Sequence, residues 1–494
     1  MAHHSLVSLL SSALVLLLGS SLAAAAGQQH SRLTFRSQNS TVDCTGVLAL
    51  SPRCSSNQVA YARDIFYVGG RYIQDASGNR TTGQLYVEKL TPNAVTQPKP
   101  VVFFHGGGTS GVSWLNTPDN RKGLGESSGS PSSYFVEQGY QVYIVDQASV
   151  GRSTQTDLDS FPMSAGTTAE NTEKSFSGPQ HFPDLYPQAV LHTQFPGTGL
   201  RGDPYFEQFQ RAVLPYSTNS TSVENVMRES GCELLSIIGP SYLISHSAGA
   251  IYPILMSNDC GDYVAGNINF ESSTTPFFFP STGSLSGTVT RAWGLTDVPI
   301  DYEPAVSDPS ELVQVEVGND TLAHRSCHLQ AEPARQLPKI SAVKYLLITS
   351  EASVHITYDH CTIQYLKQTG GNPEWIRLAD RGIHGNGHFM HLELNNLEIA
   401  VVVDDWIQGN EKNATLVSPG SPSGDALVLS RVPLQVLPRV HLALHDTTTG
   451  WFEAQGGFGR HRDTLMPGVV ELPDTTGESH IGRQEVKTEK LTKN

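Results

Sequence analysis

Ser247 sits in the stretch Leu243-Ile244-Ser245-His246-Ser247-Ala248-Gly249-Ala250-Ile251, where an apolar run stops and small residues begin. A serine attacks a carbonyl only if its hydroxyl stands clear of the chain and a base lies beside it. A sharp strand-to-helix turn gives that exposure, and its crowding admits only small residues two places before and after the serine. Ser245 and Gly249 meet that condition, as a variant of G-x-S-x-G with serine in the first place. The helix expected after the turn would aim its amino end at the same spot, where backbone N–H groups favour negative charge. A plain serine-rich turn has a similar composition. The apolar strand before Ser247 and the helix-compatible run after it separate the two readings.

Three further groups could serve such a serine. His105-Gly106-Gly107-Gly108-Thr109 directly follows an apolar run. Its glycines let the backbone approach a substrate oxygen closely. In an H-G-G loop one N–H stabilises the oxyanion, and the residue after the nucleophile supplies another. That points to Gly107 or Gly108, with Ala248. No G-K-[ST] follows, so a phosphate-binding Walker loop is excluded. The stretch Gly382-Ile383-His384-Gly385-Asn386-Gly387-His388-Phe389-Met390-His391 offers three imidazoles as the base. The spacings His384–His388 and His388–His391 also suit a metal, but a glycine-rich loop is not a ligand-presenting helix. No metal or other cofactor is expected. An acid must orient the imidazole. Glu351 ends the run LLITSE, Glu271 ends NINFE one strand earlier, and Asp359 and Asp380 are weaker candidates. The order serine, acid, histidine holds for all four, so spacing leaves the choice open.

These groups need a scaffold. Near-continuous apolar runs at PVVFFHG (100–106), YQVYIVD (140–146), SYLIS (241–245), VAGNINFE (264–271) and VKYLLITSE (343–351) read as strands buried in a parallel sheet. EWIRLAD (374–380) could be one more. DIFYVGGRYI (64–73) and GQLYVEKL (83–90) read as an antiparallel hairpin ahead of them. Helix-compatible segments between strands, such as Ser133 to Gln138, indicate an α/β fold with a mostly parallel central sheet flanked by helices. The segment 392–408 has helical apolar spacing and would close the core. Two Pro-, Gly- and aromatic-rich insertions, about 154–232 and 276–340, are expected as lids. Their aromatics, Phe277-Phe278-Phe279 and those of 195–209, are expected to make an apolar pocket.

The chain's ends and composition set its surroundings. Residues 4–22 are largely apolar and run into Ala23–Ala26, which fits a signal peptide over 1–26. The apolar core is short and serine-interrupted, so a stable membrane insertion is not expected. Six cysteines in an exported chain suggest disulfides, with Cys44–Cys54, Cys232–Cys260 and Cys327–Cys361 one of the pairings open. N-x-S/T sequons start at Asn39, Asn79, Asn219, Asn319 and Asn413. With 32 Lys and Arg against 47 Asp and Glu, the net charge of −15 argues against a nucleic-acid partner. After residue 417 the strand–helix rhythm fades, and 418–494 read as a poorly ordered tail behind a 27–417 catalytic domain.

A resemblance then becomes specific. VVFFHGGGTSGVSWLNTPDNRKG and YFVEQGYQVYIVDQASVGRS are similar to a group of bacterial and fungal α/β-hydrolase esterases. Their pattern is H-G-G-x-x-T/S-G, W-x-x-T-P-D-x-R-x-G and Y-F-x-x-x-G-Y-x-V-Y-x-x-D-Q-x-x-x-G-R-S. HTQFPGTGLRGDPYFEQF (192–209), SHSAG and GNGHFMHLELNNLEIA (385–400) continue it in the same order over roughly residues 60–410. The resemblance makes Arg201-Gly202-Asp203 a family turn. It implies an α/β-hydrolase fold, a Ser247–Glu271–His388 triad and a secreted serine esterase acting on a small-molecule ester. Glu271 over Glu351, and His388 among the histidines, rest on that resemblance. The sequence departs from the group at GESSGSPSS (125–133), which looks longer, and at His246, which is expected to face inward. Two other readings share the scaffold: a secondary-metabolite tailoring hydrolase or acyltransferase, and a catalytically inactive binding ectodomain. Oligomeric state is not readable from sequence.

Overall fold

The computed structural model describes residues 42–44, 46–54, 60–125 and 134–417. The signal peptide, the tail over 418–494, Asn39 and most of the long segment 125–133 lie outside the described residues.

Eight strands form one sheet: β1 (Tyr61–Asp75), β2 (Gly78–Pro92), β3 (Val101–Phe104), β4 (Val142–Val145), β5 (Ser241–His246), β6 (Val264–Phe270), β7 (Tyr345–Thr349) and β8 (Glu374–Arg377). Their order across the sheet is β1-β2-β4-β3-β5-β6-β7-β8. The hairpin β1–β2 is antiparallel, β2 is antiparallel to β4, and every pairing from β4 through β8 is parallel. The central strands are buried along their whole length, which is why they read as unbroken apolar runs rather than as alternation.

Helices cover both faces. The short α1 (Pro204–Arg211) packs with Phe195 and Phe389 away from the sheet, and on one sheet face α2 (Ser220–Ile238) packs on β1, β2 and α3 (Ile251–Cys260). The stretch 154–232 therefore gives way at Ser220 to a sheet-covering helix, capped by Asn219 through Ser222 N–H. The face also holds α4 (Asp359–Gln368). On the other face α5 (Asn396–Val417) buries Ile399, Val403 and Ile407 against Phe103, Ile244 and Ile348. The described part of 133–138 is a hydrogen-bonded turn, not a helix, with Gln138 N donating to Tyr134 O and Gly139 N to Val136 O. Gly139, at φ +84°, ends it before β4 can begin. Among the described residues no helix is long and apolar enough to cross a membrane.

Three disulfides join Cys44 to Cys54, Cys232 to Cys260 and Cys327 to Cys361. The second clamps α2 to α3, the helix that leaves the serine turn. Disulfides of this kind persist in oxidising compartments, in agreement with an extracellular location.

Candidate active site

Sheet register brings the chemistry to one edge. Phe104 at the end of β3 pairs with Ser245 of β5, His246 of β5 with Phe270 of β6, and Phe270 with Ile348 of β7. The residues just past these ends are the His105 loop, Ser247, Glu271 and Ser350. In an open parallel sheet this carboxyl edge is where ligands bind.

At the turn after β5, Ser247 has φ +52°, in the left-handed region that non-glycine residues avoid at a cost of about 1–2 kcal/mol. Such strain persists only where the surroundings fix it. Gly249 is required by contact: a Cβ there would run into the carbonyl oxygen of His105. Gly106 is required too, because its Cβ would lie 2.6 Å from His246 Nδ1 and 3.2 Å from Ser247 Cβ. Ser245 is tolerated two places before Ser247 because it is buried and its hydroxyl donates to Asn269 Oδ1 at 2.7 Å.

Glu271 also has positive φ, +50°, and is fully buried. Its Oε1 accepts Ser350 N–H at 2.9 Å. Its Oε2 accepts the Ser353 hydroxyl at 2.6 Å and pairs with His388 Nδ1 at 2.7 Å. Burial pushes the Glu271 carboxyl up, against the pull of His355 and those hydrogen bonds. Burial also holds the His388 imidazole well below its ordinary 6.5, and neighbouring His355 adds to the effect. Both directions have one cause: a dry site disfavours charge. The loop carrying His388 is anchored by Glu393, which accepts Gly387 N–H and Asn386 Nδ2 and bonds the buried His192 at 2.7 Å. Arg121 of the T-P-D-x-R segment ties the same loop down through the carbonyls of Glu393 and Leu394.

The other candidates have other partners. Glu351 pairs with His384 at 3.0 Å and accepts Gly385 N–H, on a side where His384 is largely exposed. Asp380 forms a surface pair with Arg377. Asp359 is buried and bonds His355 Nδ1 at 2.9 Å. His391 stacks on Trp114, and neither ring nitrogen has a partner. His246 faces inward as expected, its Nε2 on the His388 carbonyl oxygen at 3.0 Å. Asp203 caps α1 through Tyr205 and Phe206 N–H, so Arg201-Gly202-Asp203 is a turn followed by a cap. The sequence did not single out His355, whose ring lies parallel to that of His388, 4.7 Å away and 9° apart. Its signal was the four-residue spacing to Asp359.

Ser247, His388, Gly107, Gly108 and Ala248 border one cavity of about 840 Å³. Among the described residues, the N–H groups of Gly107 and Gly108 donate to no protein acceptor. The Ser247 hydroxyl has Ser273 Oγ as its partner, at 3.4 Å, rather than the imidazole. Both insertions furnish walls, through Thr167, Phe176 and Tyr216 on one side and Thr290, Arg291 and Asp297 on the other. The expected apolar pocket is not where the aromatics go. Phe277 is buried against Tyr365, Phe278 stacks on His328, Phe279 meets Tyr358, and Phe195 and Phe209 pack with Phe389 behind the cavity.

A mostly parallel eight-stranded sheet in this order, with a strained serine at the end of its fifth strand, defines the architecture of an α/β-hydrolase. No family model matches the chain. The probable secreted lipase phiG of Fungal sp. (strain ATCC 74256) is 37% identical over 370 residues, covering 74% of this chain and 94% of that protein. The chain belongs to the same family as that protein, within the α/β-hydrolase superfamily. Among solved structures, a bacterial esterase superposes with a TM-score of 0.48 at 18% identity, over 73% of this chain and 99% of that one. The peroxisomal α/β-hydrolase Lpx1 of Saccharomyces cerevisiae gives 0.33 at 12% identity, over 76% and 94%.

Proposed function

We propose that this protein is a secreted serine hydrolase that cleaves carboxylic esters through an acyl-enzyme. The observation that carries the reading is the buried Glu271–His388 pair beside the strained Ser247 at one cavity. Entry of substrate turns the Ser247 hydroxyl from Ser273 to the imidazole. Apo geometry in such sites is often loose and tightens with substrate. Ser247 Oγ then attacks the ester carbon while its proton passes to His388, and Glu271 stabilises the imidazolium. Gly107, Gly108 and Ala248 N–H groups receive the oxyanion, each worth about 3 kcal/mol at the transition state. The C–O bond to the alcohol breaks, and the alkoxide takes the proton from His388. Water repeats the sequence and releases the acid. The relative's name, a probable secreted lipase, supports ester chemistry.

Turnover of short p-nitrophenyl esters across pH tests this. A general base must be neutral to work, and His388 is held neutral by burial and by His355, with Glu271, His246 and His391 as further titratable neighbours. The acid limb of kcat/KM is expected below pH 6.5, the ordinary imidazole value. Absence of turnover at every pH would overturn the reading.

The 27–417 segment is proposed as the catalytic domain of an exported chain cleaved after Ala26. Asn79, Asn319 and Asn413 present exposed side chains for glycans, whereas Asn219 is engaged as a helix cap and by Ser160 O. Mass mapping of the secreted protein before and after deglycosylation is expected to find an N-terminus at Gly27 and glycan at the three exposed sites. A retained leader would refute the export reading.

A further inference from the structure

The cavity over Ser247 has two unlike walls. One is hydrocarbon, with Val150, Phe176 and Ile251. The other is ionic, with Arg291, Asp297 and Glu224. Arg291 donates from Nη1 to Asp297 Oδ2 at 2.7 Å and from its backbone N–H to Asp297 Oδ1 at 2.7 Å. The rest of its guanidinium is underused. Nη2 has an acceptor only at 3.5 Å, the carbonyl of Ser273, and Nε has none. Glu224, on α2, is 1% exposed; its Oε2 accepts the N–H groups of Asp297 and Val298 at 2.8 and 3.1 Å, while Oε1 has no partner. Arg291 also holds φ +55°, so the backbone is strained where it presents this side chain.

Unsatisfied buried polar groups are costly, by about 1–3 kcal/mol each. A purely structural ion pair would use its donors and acceptors. A hydrocarbon chain lying on this wall would strip water from Arg291 and Asp297 and return no hydrogen bond. An oxygen-bearing chain would return several. The wall also lies close to the reacting atom. Ser273, whose carbonyl Arg291 approaches, donates its N–H to Ser247 O at 3.1 Å and has its hydroxyl 3.4 Å from Ser247 Oγ.

We propose that Arg291, Asp297 and Glu224 form a subsite for an oxygenated arm of the substrate, an ester carrying a hydroxyl or keto oxygen close to the carbonyl that Ser247 attacks. Arg291 donates to that oxygen, and a hydroxyl in turn donates to Asp297 or Glu224. A carboxylate arm is disfavoured, because two acidic groups face one cation. Burial pushes the Glu224 carboxyl up to about 7, so near neutral pH it serves as donor or acceptor. This rests on the ester-hydrolase reading above and names the substrate class for it.

Matched esters test the subsite. On the acyl side, p-nitrophenyl butyrate is compared with its β-hydroxy, β-keto and ω-carboxy counterparts; on the alcohol side, butyl acetate with hydroxybutyl acetates. In the wild-type enzyme at least one hydroxy or keto member is expected to exceed its plain partner by about tenfold or more in kcat/KM, since a site built to bond a substrate oxygen discriminates strongly against its absence. The ω-carboxy ester is expected to fall below the plain one. In Arg291→Gln the ratio should collapse toward unity. No preference on either side, a preference for the carboxylate, or a ratio that survives Arg291→Gln overturns the proposal, and Glu224→Gln is expected to weaken the preference for a hydroxyl in the same direction. Should Glu224→Gln fail to fold, the wild-type series and Arg291→Gln still decide. Turnover of the plain esters tests the hydrolase reading separately, so the two failures are distinguishable.

Discussion

Ser247→Ala is expected to lower kcat for ester hydrolysis by about 10⁵- to 10⁶-fold, the loss seen when a serine nucleophile is removed from an intact triad. The residual rate would come from oxyanion donors and substrate binding, which still act in the absence of the nucleophile. The fold should survive. Ser247 is half-buried, its hydroxyl makes one long hydrogen bond to Ser273, and the Glu271–His388 pair does not depend on it. Alanine meets the same strain at φ +52° as serine does. A fluorophosphonate probe followed by peptide mapping gives an independent reading. The wild type should carry the adduct on Ser247 and the variant should carry none. Activity within tenfold of wild type, or an adduct elsewhere that tracks activity, would remove Ser247 from the mechanism and with it the inactive-ectodomain comparison, since some other residue would then be reacting.

The parts of this site that could be read from sequence are those fixed by local constraint. The turn around Ser247 must be tight, so Ser245, Gly249 and the flanking strand and helix advertise it. The parallel strands are buried on both faces, and continuous apolar runs follow directly. Ile399, Val403 and Ile407 mark the inner face of α5 by spacing alone. The acid was different. Glu271 and Glu351 end neighbouring strands of the sheet, and each holds a histidine of the same loop, His388 and His384. Only the third dimension says which pair is buried beside Ser247, and in the sequence a family resemblance stood in for it. The pocket was misread for a physical reason. Phe277-Phe278-Phe279 are apolar enough to be buried anywhere, and composition does not say whether a ring fills the core or lines a void. Here Phe277 fills the core and the half-buried Phe278 and Phe279 pack on His328 and Tyr358, while Arg291 and Asp297, from the same insertion, reach the cavity. Charged residues in a loop read as solvated by default, so the ionic wall left no signal.

The comparison of Glu271→Gln with Glu351→Gln separates the two histidine–acid pairs most sharply. Glu271 accepts three hydrogen bonds in full burial, from Ser350 N–H, the Ser353 hydroxyl and His388 Nδ1. A glutamine has one acceptor oxygen and one donor amide. Whichever way it is placed, the amide faces a donor, or His388 is driven to the tautomer that leaves no base at Nε2. The corresponding change in a serine-protease triad costs about 10⁴ in kcat with geometry intact. A loss of about 10³- to 10⁴-fold is therefore expected for Glu271→Gln, with KM little changed because the residue touches no substrate. Glu351 pairs with His384, whose side chain is 62% exposed. Surface pairs of this kind contribute about 1 kcal/mol or less to stability. Glu351→Gln should leave kcat within about threefold. The reverse ranking would move the base to His384, which is the one result that the buried Glu271–His388 geometry has no means to accommodate.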